Sequence, residues 1–174
     1  MKKNLLKIAI IIIIIILNTD ILINGIEKKV TSGDLVLIIN GLNVHVDDDA
    51  KEVLTSLGND YTFEEAISCA YKGMDKSFSY DGIEISTLPI DDRDKICEVY
   101  VTSDKYETLR GIKVGLKKSD IEETYGKDYT FEDSVLTYWI DEKGDPKSPK
   151  LYFVLDENNI ITAISIFSAK NSGR

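Results

Sequence analysis

The side chains of this 174-residue chain that could do chemistry are few: one histidine, His45, and two cysteines, Cys69 and Cys97. A thiol beside an imidazole makes an activated nucleophile, so Cys69 or Cys97 with His45 defines an enzyme reading. A strand histidine facing water and two ordinary strand cysteines are the plainer account of the same residues. Two cysteines on one sheet face can also be bridged if their strands are neighbours; Cys69 and Cys97 are then one disulfide, with buried free thiols as the alternative. A zinc site takes three or four ligands, more than a lone histidine implies. Asp47-Asp48-Asp49 offers the oxygens that calcium takes. No Asp-x-Asp-x-Asp-Gly loop is present, however, and acids at a helix start are accounted for by the free N–H groups there. Asp75, Lys76 and Glu84 read as a loop ion pair worth under about 1 kcal/mol. The chain has no P-loop, Gly-x-Gly-x-x-Gly or Ser-His-Asp signature. The expectation is therefore no catalytic residue, no metal and no cofactor.

The elements that must position these residues are announced by a repeated octapeptide. Gly58-Asn59-Asp60-Tyr61-Thr62-Phe63-Glu64-Glu65 returns as Gly126-Lys127-Asp128-Tyr129-Thr130-Phe131-Glu132-Asp133, identical at six positions. A match of that length in a short chain reads as an internal duplication. Before each copy lies a short helix pattern. Ala50, Val53, Leu54 and Leu57 share one face, and Gly58 supplies the C-cap; in the second copy Ser119 to Glu122 fits a capping box, Leu116, Ile121 and Tyr125 form the apolar face, and Gly126 ends the helix. After each copy come strands: 67–72, 77–80, 83–88 and 96–102 in the first unit, and 135–140, 151–155 and 161–167 in the second. Residues 141–150, with Pro146 and Pro149, stand where the first unit has its second strand. Asn40-Gly41 between two β-prone runs predicts an initial hairpin. The predicted fold is α+β: two tandem helix-plus-antiparallel-meander repeats, residues 35–106 (with the hairpin) and 107–168, forming one sheet with both helices on one face.

Composition bounds the function. The net charge of −9 argues against nucleic acid, whose phosphates demand clustered Lys and Arg, and suits a basic partner. Lys2, Lys3 and Lys7 precede the apolar run Ile8 to Leu17, the form of a secretory signal. Residues 1–24 are read as a signal peptide or uncleaved signal anchor, 25–34 as a polar linker and 169–174 as a tail. The location is extracellular or cell-surface, with the apolar segment a means of membrane anchoring.

This layout is similar to the tandem-repeat β-lactamase inhibitory proteins and to the small outer-membrane assembly lipoproteins. The residues that carry the likeness are Gly111 to Ile121, the helix-ending Gly126 and the terminal strand pair. The stretch Ser68 to Lys76, with Phe78, Tyr80, Glu84-Ile85, Thr87, Glu107-Thr108 and Gly111-Ile112, resembles exported proteins of Gram-positive bacteria. Many of those are lipoproteins, whereas this chain lacks the lipid-bearing cysteine. The resemblance implies a fold and an envelope or secreted location, and no catalytic residue.

Strand alternation then divides the second unit into two faces. With Val135, Thr137, Trp139, Leu151, Phe153, Leu155, Ile164 and Ile166 toward the helices, Leu136, Tyr138, Ile140, Tyr152, Val154 and Phe167 point outward. The first unit contributes Tyr100 to that outward face among polar residues. Exposed apolar patches mark interaction sites, and tyrosine is favoured in them. Tyr138, Tyr152, Phe167 and Tyr100 are thus the candidate anchors for an envelope or secreted protein partner or a second copy of the chain.

Overall fold

A computed structural model describes residues 28–168. The expected signal or anchor segment and the carboxy-terminal tail lie outside the described residues. Among those residues, no helix is long and apolar enough to cross a membrane.

The described residues form two antiparallel sheets. The smaller has order β2-β1-β7, from β1 (Val36–Ile39), β2 (Leu42–His45) and β7 (Glu107–Thr108). The β1–β2 turn is the expected Asn40-Gly41, both residues at positive φ (49° and 81°), as a tight hairpin matched to strand twist requires. The larger sheet has eight strands in the order β3-β4-β5-β6-β11-β10-β9-β8. Its first half is β3 (Thr62–Ile67), β4 (Met74–Tyr80), β5 (Ile83–Ile90) and β6 (Arg93–Val101); its second is β8 (Thr130–Glu132), β9 (Val135–Trp139), β10 (Lys150–Leu155) and β11 (Ile161–Phe167). The halves join where β6 pairs with β11, and Tyr100 faces Ser165 across that seam.

Two α-helices are present among the described residues, α1 (Lys51–Leu57) and α2 (Lys118–Tyr125), of seven and eight residues. The expected α+β architecture, with a sheet backed by helices on one face, is overturned by these proportions. Among the described residues strand makes up 46% and helix 13%, so this part of the chain is mostly β. Helices of two turns are too short to cover eight strands, each about 4.8 Å wide. Leu37 and Ile39 of β1 instead share one buried cluster with Ile85, Val99, Leu151, Phe153, Ile164 and Ile166 of the large sheet. The small sheet thus does much of the covering that the helices were expected to do, alongside Val53 of α1 and Ile121 and Tyr125 of α2.

The meanders also differ from the expected strand assignment. The Tyr-Thr-Phe segment of the first octapeptide opens β3, and 68–73 is a turn where a strand over 67–72 was expected. In the second half β8 takes the place of β3 and β9 that of β4, so residues 141–149 connect β9 to β10 instead of replacing a strand. The octapeptide nevertheless does the same job in both halves. Gly58 and Gly126 end their helices at φ 87° and 82°. The Tyr80 hydroxyl donates to the Gly58 carbonyl (3.2 Å), and the Tyr138 hydroxyl to the Gly126 carbonyl (2.6 Å). Tyr61 and Tyr129 lie against those two tyrosines, with ring centroids 5.2 and 5.7 Å apart.

The stretch read as a polar linker is packed at its end. Val30 is buried, and residues Ser32–Asp34 form a 3-10 turn closed by the Thr31 N–H donating to Asp34 Oδ2 (2.8 Å). The buried Asp34 accepts from Arg110 Nε (2.6 Å) and Nη2 (2.8 Å), and the Arg110 guanidinium lies 4.8 Å from the Tyr125 ring centre. Tyr125 in turn donates to Thr108 Oγ1 (2.8 Å). One ion pair therefore ties the entry to β1, the end of β7 and the helix α2.

Candidate functional site

The outer face of the large sheet is defined by cross-strand register. Leu151 pairs with Tyr138 and Ile166, and Phe153 with Leu136 and Ile164; directly paired residues share a face, and all of these are buried. The alternate positions form two rows on the other face. One runs Trp139, Lys150, Phe167, Glu98; the next runs Thr137, Tyr152, Ser165, Tyr100, Glu84. Each of Tyr100, Trp139, Tyr152 and Phe167 is half-buried.

Tyr138 is the correction among the expected anchors. It is 1% exposed and stacks inside the core on Tyr125 and Phe153. The outward set on β9 is Val135, Thr137 and Trp139, the reverse of the expected parity, because Leu151 and Phe153 fix the inward side. Tyr100, Tyr152 and Phe167 stand on the outer face as expected. Trp139 and Lys150 were missed, whereas Glu98 is one of the polar residues expected on this face. The signal that could have found Trp139 is its spacing: it sits one residue past Tyr138, so assigning Tyr138 to the core turns Trp139 outward.

These side chains build a shallow cavity of about 350 Å³ lined by Glu98, Val135, Thr137, Trp139, Lys150, Tyr152 and Phe167. The Lys150 ammonium lies 5.0 Å from the Trp139 ring centre and 4.6 Å from that of Phe167, a cation held between two π faces. Burial lowers its pKa from the ordinary lysine value, while Glu98 and Asp145 pull it back up. Glu98 Oε1 accepts from the Tyr152 hydroxyl (2.6 Å) and from Ser165 Oγ (2.8 Å). Burial, then that bond to Glu98, raises the Tyr152 phenol above its usual range. Trp139 Nε1 donates to Thr130 Oγ1 (2.9 Å). Trp139 and Tyr152 are thus fixed by polar partners on their rims, and Lys150 lies over one face each of Trp139 and Phe167.

The other candidates do not assemble. His45, exposed at the end of β2, donates its backbone N–H to Asp48 (2.9 Å), and among the described residues no hydrogen bond joins its ring to a cysteine. Both cysteines are free, so the disulfide alternative is corrected. Cys69 is exposed in the turn after β3 while Cys97 lies on β6. With β4 and β5 between those strands, the gap is about 14 Å at ~4.8 Å per strand, twice the bridging limit. Cys97 is also the extra residue of a β-bulge, since Ser86 pairs with Glu98 and Thr87 with Ile96. The bulge takes it out of the regular alternation of β6. Burial, followed by the charge of Glu98, pushes its thiol up to about 12, the opposite of an activated nucleophile. Lys76 pairs with Asp94 (2.8 Å) and Glu84 accepts from Ser77 (2.9 Å), in place of the expected Asp75–Lys76–Glu84 grouping. Asp48 and Asp49 accept local backbone N–H groups, and the described residues hold no metal-ligand cluster. A broader depression of about 960 Å³ lies between β2 and α1, without the convergent rings of the outer face.

Compared with known proteins, the chain matches no family model, no curated protein and no solved structure. The comparisons therefore add nothing for or against the resemblance to tandem-repeat inhibitory proteins or exported lipoproteins.

Tyrosine chemistry gives a test of the packing around this framework. Burial raises Tyr125 to about 12, and the bond to Glu122 raises Tyr129 to about 12; burial also raises Tyr138 and Tyr152. The folded chain thus holds these protons more tightly than the unfolded chain. Their stabilisation is complete below the ordinary phenol value near ~10 and is lost as pH rises through about 12. Phenolate absorbance is expected to show a late set among the nine tyrosines, ionising as circular dichroism is lost. Titration of all nine in one early step, with the fold intact, would contradict this packing.

Proposed function

We propose that the chain is an exported, non-catalytic binding module of the cell envelope that receives a protein partner on the outer face of its large sheet. Tyr100, Tyr152 and Phe167 are the anchors, with Trp139 beside them. The observation that carries this reading is the aromatic row Trp139–Lys150–Phe167 and its neighbour Tyr152–Tyr100, half-exposed on one face, with Trp139, Tyr152 and Phe167 lining a cavity and Trp139 and Tyr152 hydrogen-bonded at their rims. Rigid aromatic side chains give large contact area at little entropic cost. Glu64, Glu84 and Glu98 continue the same face across the first half, so the partner is a folded surface with an apolar centre and a basic rim. Export rests on Lys2, Lys3, Lys7 and the apolar run after them.

The test is a pair of surface variants. Phe167→Ser with Trp139→Ser is expected to keep the melting temperature within a few degrees and to weaken binding of the envelope partner by 10-fold or more, roughly the loss of one hot spot. Unchanged partner binding by the folded double variant would sink the proposal.

A further inference from the structure

The edge strand β3 has features that the outer-face reading does not use. All six of its residues, Thr62 to Ile67, are exposed, and among the described residues it pairs only with β4. The Ser68 N–H donates to the Gly73 carbonyl (3.0 Å), which fixes the phase of the β3–β4 ladder. By antiparallel alternation, 62, 64 and 66 turn their backbone groups to β4, while Phe63, Glu65 and Ile67 turn theirs to the open side. Sheet proteins usually blunt such an edge, and the opposite edge is blunted. There β8 has three residues, ends in the Asp133-Ser134 turn at φ 48° and 68°, and has the Lys118 ammonium 4.2 Å from the Phe131 ring centre. In contrast, β3 has no bulge in its pairing, and Tyr61, Phe63 and Ile67 around it are 38%, 45% and 81% exposed.

We propose that β3 is a docking strand that accepts an extended segment of another protein by strand addition, the segment carrying Lys or Arg in alternation with apolar residues. The backbone groups of Phe63, Glu65 and Ile67 supply the ladder. Apolar side chains of the incoming strand lie beside Phe63 and Ile67 on one face, and its cations beside Glu64 on the other. The Glu64 and Glu65 carboxylates also select against a second copy of this chain. Antiparallel self-pairing through the open-side backbone groups, centred on Glu64 or on Glu65, would set that carboxylate against its own copy, and like charges directly opposite are destabilising.

The experiment is amide hydrogen exchange on the full chain, with and without a capped peptide of alternating Val and Lys. The amides of Phe63, Glu65 and Ile67 are expected to exchange freely in the protein alone and to slow by about tenfold or more with the peptide. A control peptide of alternating Val and Glu should leave them unchanged. Glu65→Pro removes one edge donor without touching the β3–β4 ladder and should abolish the effect. Tyr152→Ser should preserve it, which separates this site from the outer face. Three results overturn the proposal: these amides already protected in the free chain, protection that appears with self-association, or no discrimination between the two peptides.

Discussion

Replacing Phe153 by Ala is expected to destabilise the protein by roughly 3–5 kcal/mol, the range for deleting a buried phenyl ring. Phe153 is fully buried and its ring stands 6.0 Å from that of Tyr125 and 6.4 Å from that of Tyr138. Its cross-strand neighbours are Leu136 and Ile164, so the cavity would open between the two strands that flank β10. For a chain of this size the loss corresponds to about a 10 °C fall in melting temperature. Phe167→Ala, on the other face of the neighbouring strand β11, should cost far less, because its ring is half-exposed. Thermal melts of the two variants decide the matter. Equal losses would mean that the inner and outer faces have been assigned wrongly.

The second large effect is expected at Arg110. Arg110→Ala leaves the Asp34 carboxylate, only 6% exposed, without its cation. Removing one partner of a buried pair typically costs about 3–5 kcal/mol; because Arg110 is itself 31% exposed, roughly 3 kcal/mol is expected here. Arg110→Lys should recover little, since one ammonium cannot reproduce the two nitrogens that meet the two Asp34 oxygens. Urea unfolding of Asp34→Ala, Arg110→Ala and the double variant forms a cycle. The double variant should lose less than the two single losses combined. Strict additivity would show that the pair is not coupled.

Local signals in the sequence were sufficient for some elements and not for others. The Asn40-Gly41 hairpin, the helix-ending Gly58 and Gly126, and the strands over 83–88, 151–155 and 161–167 follow from turn chemistry and alternation, and the structure contains each of them. The strand β3 was invisible because an edge strand exposed on both sides needs no alternation. β7 has two residues, too few for any period, and without it the small sheet could not be foreseen. That omission inflated the role given to the helices. The candidate face was half legible. Tyr152, Phe167 and Tyr100 belong to strands with one clearly apolar side, whereas Val-Leu-Thr-Tyr-Trp of β9 is apolar on both, and only its pairing with Leu151 and Phe153 decides which side is buried. The bulge at Cys97 has no local signature at all, because it is a relation between two strands.

Site-specific photocrosslinking tests the binding face most directly. A photoreactive phenylalanine analogue placed at position 167, and separately at the exposed Thr55 of α1, would be activated in intact cells expressing the full chain. A discrete adduct from position 167 with an envelope or secreted protein, and none from position 55, is the expected result. No adduct from 167, or the same adducts from both positions, would contradict a partner seated on the outer sheet face.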